Sequence, residues 1–340
     1  MTTGSGSGVR AMVTLVLLAL AIGCSGPTSP SGPPPTAGLS VTCPQPVTVA
    51  ALQVPAAVQY DTPQASGGTA PVAVTCTLPS GADFPAGLTK VVCSATDALQ
   101  QTAACEIPVT VSLATRLDAT TFLAIGDSIT EGQVSLPPSM PLALEPHNSY
   151  PAVLQEMLRA AYPLQADGIE VVNAGVGGMR ATDDEDRIYQ EIDARRPEVL
   201  LLLHGANDVN ANLSPDDIAA SLRADINRAF RLGVRAVFVS TLLPQVEGRS
   251  HAIHPELVEP LNDLIRAAAE REGATLVDAY GAFDATRELL IGVDGLHPTR
   301  EGYRVLAQLF MDAIENRFRV LPPAEPAPET ARRPLHRPLR

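Results

Sequence analysis

Hydrophobic positions follow two different rhythms along this chain, and each predicts a different kind of element. Between residues 39 and 113, apolar side chains fall on every second position, as in Val91-Val92-Cys93-Ser94-Ala95 and Ile107-Pro108-Val109-Thr110-Val111. Turn signals such as Ser66-Gly67-Gly68 and Pro79-Ser80-Gly81 separate these runs. A period of two puts alternate side chains on one face of a strand, so this segment predicts a small antiparallel β-sandwich. From about Thr115 to Val320 the rhythm changes. Short runs that read as apolar on both faces, namely Phe122–Ile125, Ile169–Val172, Val199–Leu203, Ala236–Val239 and Thr275–Val277, alternate with longer amphipathic stretches. Runs without alternation suit strands covered on both faces. The stretches between them have a helical period: Val153, Leu154, Met157, Leu158 and Ala161 in one; Ile218, Leu222, Ile226 and Phe230 in another; Val305, Leu306, Leu309, Phe310, Ala313 and Ile314 in the last. Ser214-Pro215 reads as an N-cap followed by proline at the first helical position, and Thr299 as the cap of the last helix. Repeated β–α units with right-handed crossovers predict an α/β fold: a doubly wound, flavodoxin-like three-layer α/β/α arrangement around a parallel five-stranded sheet.

The two ends have neither rhythm. Arg10 and the apolar run Ala11–Ile22 resemble an export signal, and the run is too short to span a bilayer. It leads into Leu20-Ala21-Ile22-Gly23-Cys24, which resembles a bacterial lipoprotein cleavage site. Residues 1–23 would then be removed and Cys24 would receive lipid, giving a membrane contact through that residue. An ordinary secretory signal is the alternative. Residues 24–38 are almost all Gly, Pro, Ser and Thr and read as a semi-extended tether. Residues 321–340, rich in proline and arginine, read as a disordered tail. The expected domains are therefore the sandwich at 39–113 and the α/β unit at 115–320.

A net charge of −13 disfavours nucleic acid as a partner, since phosphate binding needs a basic surface. Of the five cysteines, setting Cys24 aside leaves four, all in the sandwich segment. An even number suits disulfides in an oxidising compartment, and sequence alone permits three connectivities. The expected location is the bacterial cell envelope, periplasmic or outer surface, or the exterior.

Open parallel sheets bind ligands where the loops leave the carboxyl ends of the strands. Gly126-Asp127-Ser128 follows the first run, Asn173-Ala174-Gly175-Val176-Gly177-Gly178 the second, and His204-Gly205-Ala206-Asn207-Asp208 the third. Asp294-Gly295-Leu296-His297 comes well after the fifth. A serine, a histidine, a carboxylate and extra donors on one rim are what acyl transfer needs. Ser128 is the candidate nucleophile. His297 can take its proton, and Asp294 can hold the other ring nitrogen. The Ser128 backbone N–H, the Gly178 N–H and the Asn207 amide can stabilise an oxyanion. Glycine suits the second position because a side chain there would crowd a substrate.

At this point GDSIT, NAGVGG, GAND and DGLHP resemble the four blocks of the SGNH hydrolases, the GDSL-type esterases and lipases, in family order. The resemblance implies Ser128, Asp294 and His297 as the triad and Gly178 and Asn207 as oxyanion donors, with Gly177 leaving the glycine assignment open by one residue. No G-x-S-x-G elbow occurs in the domain, so the ordinary α/β-hydrolase fold is not expected. The stretch CTLPSGADFPAGLTKVVCSATDALQQTAACEIPVTV, with VTCPQPVTV upstream, resembles a hyalin repeat (HYR), an immunoglobulin-like module. That resemblance implies the pairs Cys76–Cys93 and Cys43–Cys105, and a spacer or adhesion role, including contact with a cell surface or polysaccharide.

Other residues carry blander readings. His251-x-x-His254 has a zinc-like spacing but no third ligand, so no metal is expected, and the chemistry needs no cofactor. His204 reads as a hydrogen-bonded core residue. Asp208 reads as a loop-supporting Asx residue. Asp183-Asp184-Glu185-Asp186 reads as a solvated helix N-terminus. The NAGVGG glycines do not fit a dinucleotide fingerprint. The loop 133–149 is long and apolar, and Leu136, Met140, Leu142 and Leu144 are expected to line an acyl pocket. The expected activity is hydrolysis of small-molecule or glycan carboxylic esters. Two rivals are a polysaccharide O-acetyl esterase and a catalytically silent surface adhesin or glycan binder.

Overall fold

A computed structural model describes residues 38–135 and 142–323. The export signal, Cys24, the tether apart from Gly38, Leu136 and Met140 of the long loop, and the tail beyond 323 lie outside the described residues.

The chain divides into two units. One comprises 38–44, Thr62–Thr77 and Val92–Glu106, and is all β. Within it, Ser40–Thr42 pairs antiparallel with Gln64–Ser66, and Ala73–Cys76 pairs antiparallel with the end of the strand Gly87–Thr96. Its four cysteines form the bonds Cys43–Cys105 and Cys76–Cys93. The Asp97 carboxylate accepts from the backbone N–H groups of Thr69, Leu99 and Gln101, which closes the adjoining turn.

The other unit comprises Gln45–Asp61, Leu78–Val91 and 107–323. Its β segment departs from the antiparallel expectation, because Val47–Ala51 runs parallel to Val109–Leu113. Alternation along a strand reports which face is buried and is silent on the direction of its neighbour, so this pairing could not be read from the pattern.

The larger part of this unit is the α/β domain. Five strands, β1 (Thr121–Gly126), β2 (Glu170–Gly175), β3 (Val199–Leu203), β4 (Ala236–Ser240) and β5 (Thr275–Val277), form one sheet in the order β2-β1-β3-β4-β5. All four pairings are parallel. β3 and β4 are buried along their whole length. β2 lies at a sheet edge and is only partly covered, with Glu170 and Asn173 exposed, which is where the fully apolar reading fails. The main helices are α1 (Ser128–Glu131), α2 (Tyr150–Ala161), α3 (Glu185–Arg195), α4 (Ala206–Asn210), α5 (Pro215–Arg231), α6 (Val258–Glu272) and α7 (Arg300–Phe318). The buried stripe of α5 is Ile218, Leu222 and Ile226, while Ala161 at the end of α2 is exposed. α2 and α7 meet through Tyr150 and Phe310, whose rings stack with centroids 4.8 Å apart. Thr299 caps α7 by accepting from the Gly302 N–H. Ser214 occupies the N-cap of α5, with Pro215 behind it, but its hydroxyl makes no capping bond.

This topology reverses at β1, whose neighbours β2 and β3 lie on opposite sides. The loops leaving β1, β2 and β3 therefore diverge at the switch point, where such sheets form ligand sites.

Candidate active site

β1 ends at Gly126, and α1 begins two residues later. Asp127 is the N-cap: its carboxylate accepts from the Ile129 N–H at 3.0 Å. That turn sets Ser128 at the first helical position, where a backbone N–H has no intrahelical partner. Ser128 is only 5% exposed. Its Oγ lies 2.7 Å from Nε2 of His297. His297 Nδ1 lies 2.6 Å from Oδ2 of Asp294. A carboxylate can only accept, so Nδ1 carries the proton and Nε2 is left to accept from the serine hydroxyl.

The turn that bears Asp294 and His297 is held from several sides. Asp294 Oδ1 accepts from the N–H groups of Leu296 and His297, each at 3.1 Å. The Asp294 N–H donates to the Ser135 hydroxyl at 3.0 Å. The Gly292 N–H donates to the His297 carbonyl. Burial of Asp294 works against its charge. The bond from His297 and the two backbone donors outweigh that and hold the carboxyl below its ordinary range.

The loop after β2 approaches closely. A Cβ on Gly175 would fall 2.2 Å from the backbone nitrogen of Glu131, so only glycine lets β2 end against α1. The Val176 N–H donates to the Gly126 carbonyl, which joins this loop to β1. Gly178 has φ +78° and a Cβ there would meet no protein atom within 4 Å. The fold's own demand at this position is thus left-handed backbone, which glycine supplies at least cost. Asn207, in the first turn of α4, donates through Nδ2 to the Met179 carbonyl at 2.8 Å, and its second N–H remains to be used. Asp208, fully buried, accepts from the N–H groups of Ala181 and Thr182 and from the Thr182 hydroxyl. The loops carrying Gly178 and Asn207 are thereby bonded to each other.

The sequence pattern missed three features. Asp184 is not solvated as its acidic neighbours are: it is 1% exposed, salt-bridged to Arg187 and bonded to His204 Nε2 at 3.0 Å. Only one carboxylate of the four is buried, and the composition of the run does not say which. Ser135 has no mark in the sequence, because a lone serine after a strand carries no periodic signal. His251 lies beside the turn that bears Asp294 and His297. Its Nδ1 is 3.6 Å from Asp294 Oδ2, and its ring stands edge-on to that of His297. His254 pairs with Glu256. Of the two described residues expected in an acyl pocket, Leu142 is half-buried and Leu144 is exposed.

A five-stranded parallel sheet in this order brings a buried Ser–His–Asp hydrogen-bonded chain to its switch point. The chain belongs to the GDSL-like lipase/acylhydrolase family, whose profile matches residues 124–305. An HYR domain profile matches residues 33–111. The chain is similar to an acetylxylan esterase from Geobacillus stearothermophilus, with 26% identity over 206 residues, 56% of this chain and 92% of that one. It is also similar to an arylesterase from Vibrio mimicus, with 23% identity over 186 residues, 55% of this chain and 84% of that one. A lipase/acylhydrolase from Enterococcus faecalis superposes with a TM-score of 0.50 at 20% identity, over 58% of this chain and 97% of that one, which supports the fold. The protein is a carboxylic ester hydrolase.

Proposed function

We propose that this enzyme cleaves esters through a covalent acyl-Ser128 intermediate. His297 Nε2 takes the Ser128 proton as Oγ attacks the ester carbonyl, and the imidazolium that forms is stabilised by Asp294. The carbonyl π electrons move onto oxygen, where the N–H groups of Ser128 and Gly178 and the Asn207 amide receive the charge. Collapse expels the alcohol, which takes the proton from His297. Water then repeats the cycle and releases the acid. The observation that carries this reading is the unbroken chain from Ser128 Oγ to His297 at 2.7 Å and on to Asp294 at 2.6 Å. The test is Ser128→Ala, which is expected to abolish p-nitrophenyl acetate turnover and labelling by a fluorophosphonate. Turnover at the wild-type rate in that variant would sink the mechanism.

A second reading, removal of acetyl groups from a polysaccharide, is supported by the similarity to the acetylxylan esterase over 92% of its length. A panel of acetylated xylan, other acetylated glycans and simple esters of graded chain length separates the two. The HYR match and the four paired cysteines support a surface or extracellular setting for the enzyme. The domain limits 39–113 and 115–320, the export signal and the lipid on Cys24 belong to the same proposal. Metabolic labelling of wild type and Cys24→Ser with a fatty-acid analogue tests the anchor.

A further inference from the structure

The strands that lead to Ser128, Gly178 and Asn207 meet one buried charged group. Asp184 stands just before α3, with its Oδ1 accepting from Arg187 Nε at 2.6 Å and its Oδ2 within 3.0 Å of His204 Nε2. Arg187 also bonds the same carboxylate through Nη2. Beyond Asp184, Arg187 donates to the carbonyl of Ala174 near the end of β2, and at 3.4 Å to that of Gly126 at the end of β1. His204 follows directly on β3. Its Nδ1 accepts from the Gly205 N–H at 3.1 Å and faces Asp127 Oδ2 at 3.8 Å. One carboxylate thus gathers the ends of β1, β2 and β3, each a few residues upstream of a group the reaction uses.

We propose that Asp184, Arg187 and His204 act as a positioning clamp that fixes the nucleophile turn and the two donor loops relative to one another. None of the three belongs to the reacting set, so they act through Ser128, Gly178 and Asn207, and the inference rests on the roles proposed for those residues. The clamp has a physical rationale. A buried ion pair is a poor source of stability, since desolvation offsets much of its attraction. It does impose geometry, because a guanidinium bonds carboxylate and carbonyl oxygens only in its own plane. The reaction rewards geometry: a misplacement of about 1 Å at a reacting centre can cost about 10²-fold in rate.

The test uses the full chain with Asp184→Asn and Arg187→Lys. Asparagine keeps the shape and removes the charge. Lysine keeps the charge and loses the fork. Each variant is assayed well below its Tm for kcat and KM on p-nitrophenyl acetate and for the rate of inactivation by a fluorophosphonate. The expected result is a fall in kcat of about 10–100-fold with KM changed less than about 2-fold, and a parallel fall in the inactivation rate. Variants with lower Tm but wild-type kcat and inactivation rate would show a stabilising role only and overturn the clamp. Should Asp184→Asn fail to fold, Arg187→Lys, whose side chain is one-fifth exposed, gives the same readouts. Ser128→Ala in parallel separates the two levels. Turnover surviving in Ser128→Ala defeats the underlying mechanism. Loss there together with undiminished kcat in the clamp variants defeats the clamp alone.

Discussion

Ser128 Oγ and His297 Nε2 stand 2.7 Å apart although 169 residues separate them in the chain. The serine arrives on a strand end and the histidine on a turn stapled by Ser135, so their meeting depends on the whole sheet having closed. Asp294 completes the relation by fixing the tautomer of His297. In Asp294→Asn the amide can donate to Nδ1, and the ring then holds its proton on the wrong nitrogen. The expected loss in kcat is about 10⁴-fold, the scale of the same change in serine proteases. The same variant alters acid stability. The folded-state pKa of Asp294 is depressed, so its contribution is complete above the unfolded value of about 3.9 and is lost as pH falls through the lower folded value. The wild-type Tm should therefore drop below about pH 4, and Asp294→Asn should lack that part of the decline. Tm measured by circular dichroism from pH 2 to 6 checks it.

Asn207 spends one N–H on the Met179 carbonyl, at 2.8 Å. The other is the proposed oxyanion donor. Asn207→Ala removes both, and the two effects are separable. The structural bond is worth about 1 kcal/mol and should appear as a small fall in Tm. The catalytic bond should cost about 10²–10³ in kcat with little change in KM. Steady-state kinetics alongside thermal melts distinguish them. A loss of kcat below about 5-fold would remove Asn207 from the oxyanion site.

Ser135 offers its hydroxyl to the Asp294 N–H and is itself nearly buried. Ser135→Ala leaves that N–H unpaired and loosens the turn that carries both Asp294 and His297. Losing one neutral hydrogen bond of about 1 kcal/mol predicts a fall in kcat of roughly 5-fold. The Ser128–His297 bond is retained in the variant, so fluorophosphonate labelling should persist at a reduced rate. Unchanged kcat would mean that the turn is rigid without Ser135.

Much of this site was legible because its parts sit where strand periodicity stops. A run such as Val199–Leu203 reads as a covered strand, which it is, and the polar residues that follow it emerge on the rim. GDSIT, NAGVGG and GAND were legible as chemistry for that reason, DGLHP was legible from its Asp-x-x-His pair although it lies well beyond the last strand of the sheet, and the order of the four gave the family. Asp184 was not legible, since one buried carboxylate among four acidic neighbours has no local mark. The same holds for Ser135, whose partner lies 159 residues away. The direction of Val47–Ala51 was hidden too, because alternation is identical in parallel and antiparallel strands.

Asp225 predicts a stability that falls as pH rises. It lies on α5 with 1% exposure, and its Oδ2 has no hydrogen-bond partner among the described residues. Burial pushes its carboxyl up to about 7, with His204 opposing the rise and Asp184 adding to it. The folded chain therefore keeps the Asp225 proton up to about pH 7, whereas the unfolded chain releases it near 3.9. Between those values the folded state binds more protons, so each step up in pH favours unfolding. Asparagine mimics the protonated acid and cannot ionise. Asp225→Asn should match the wild type near pH 4 and exceed it at pH 8 by ~2–4 kcal/mol, several degrees in Tm. Melting curves of both proteins at pH 4, 6 and 8 decide the matter. A wild type that keeps pace with the variant at pH 8 would mean that Asp225 is ionised and solvated in the folded enzyme.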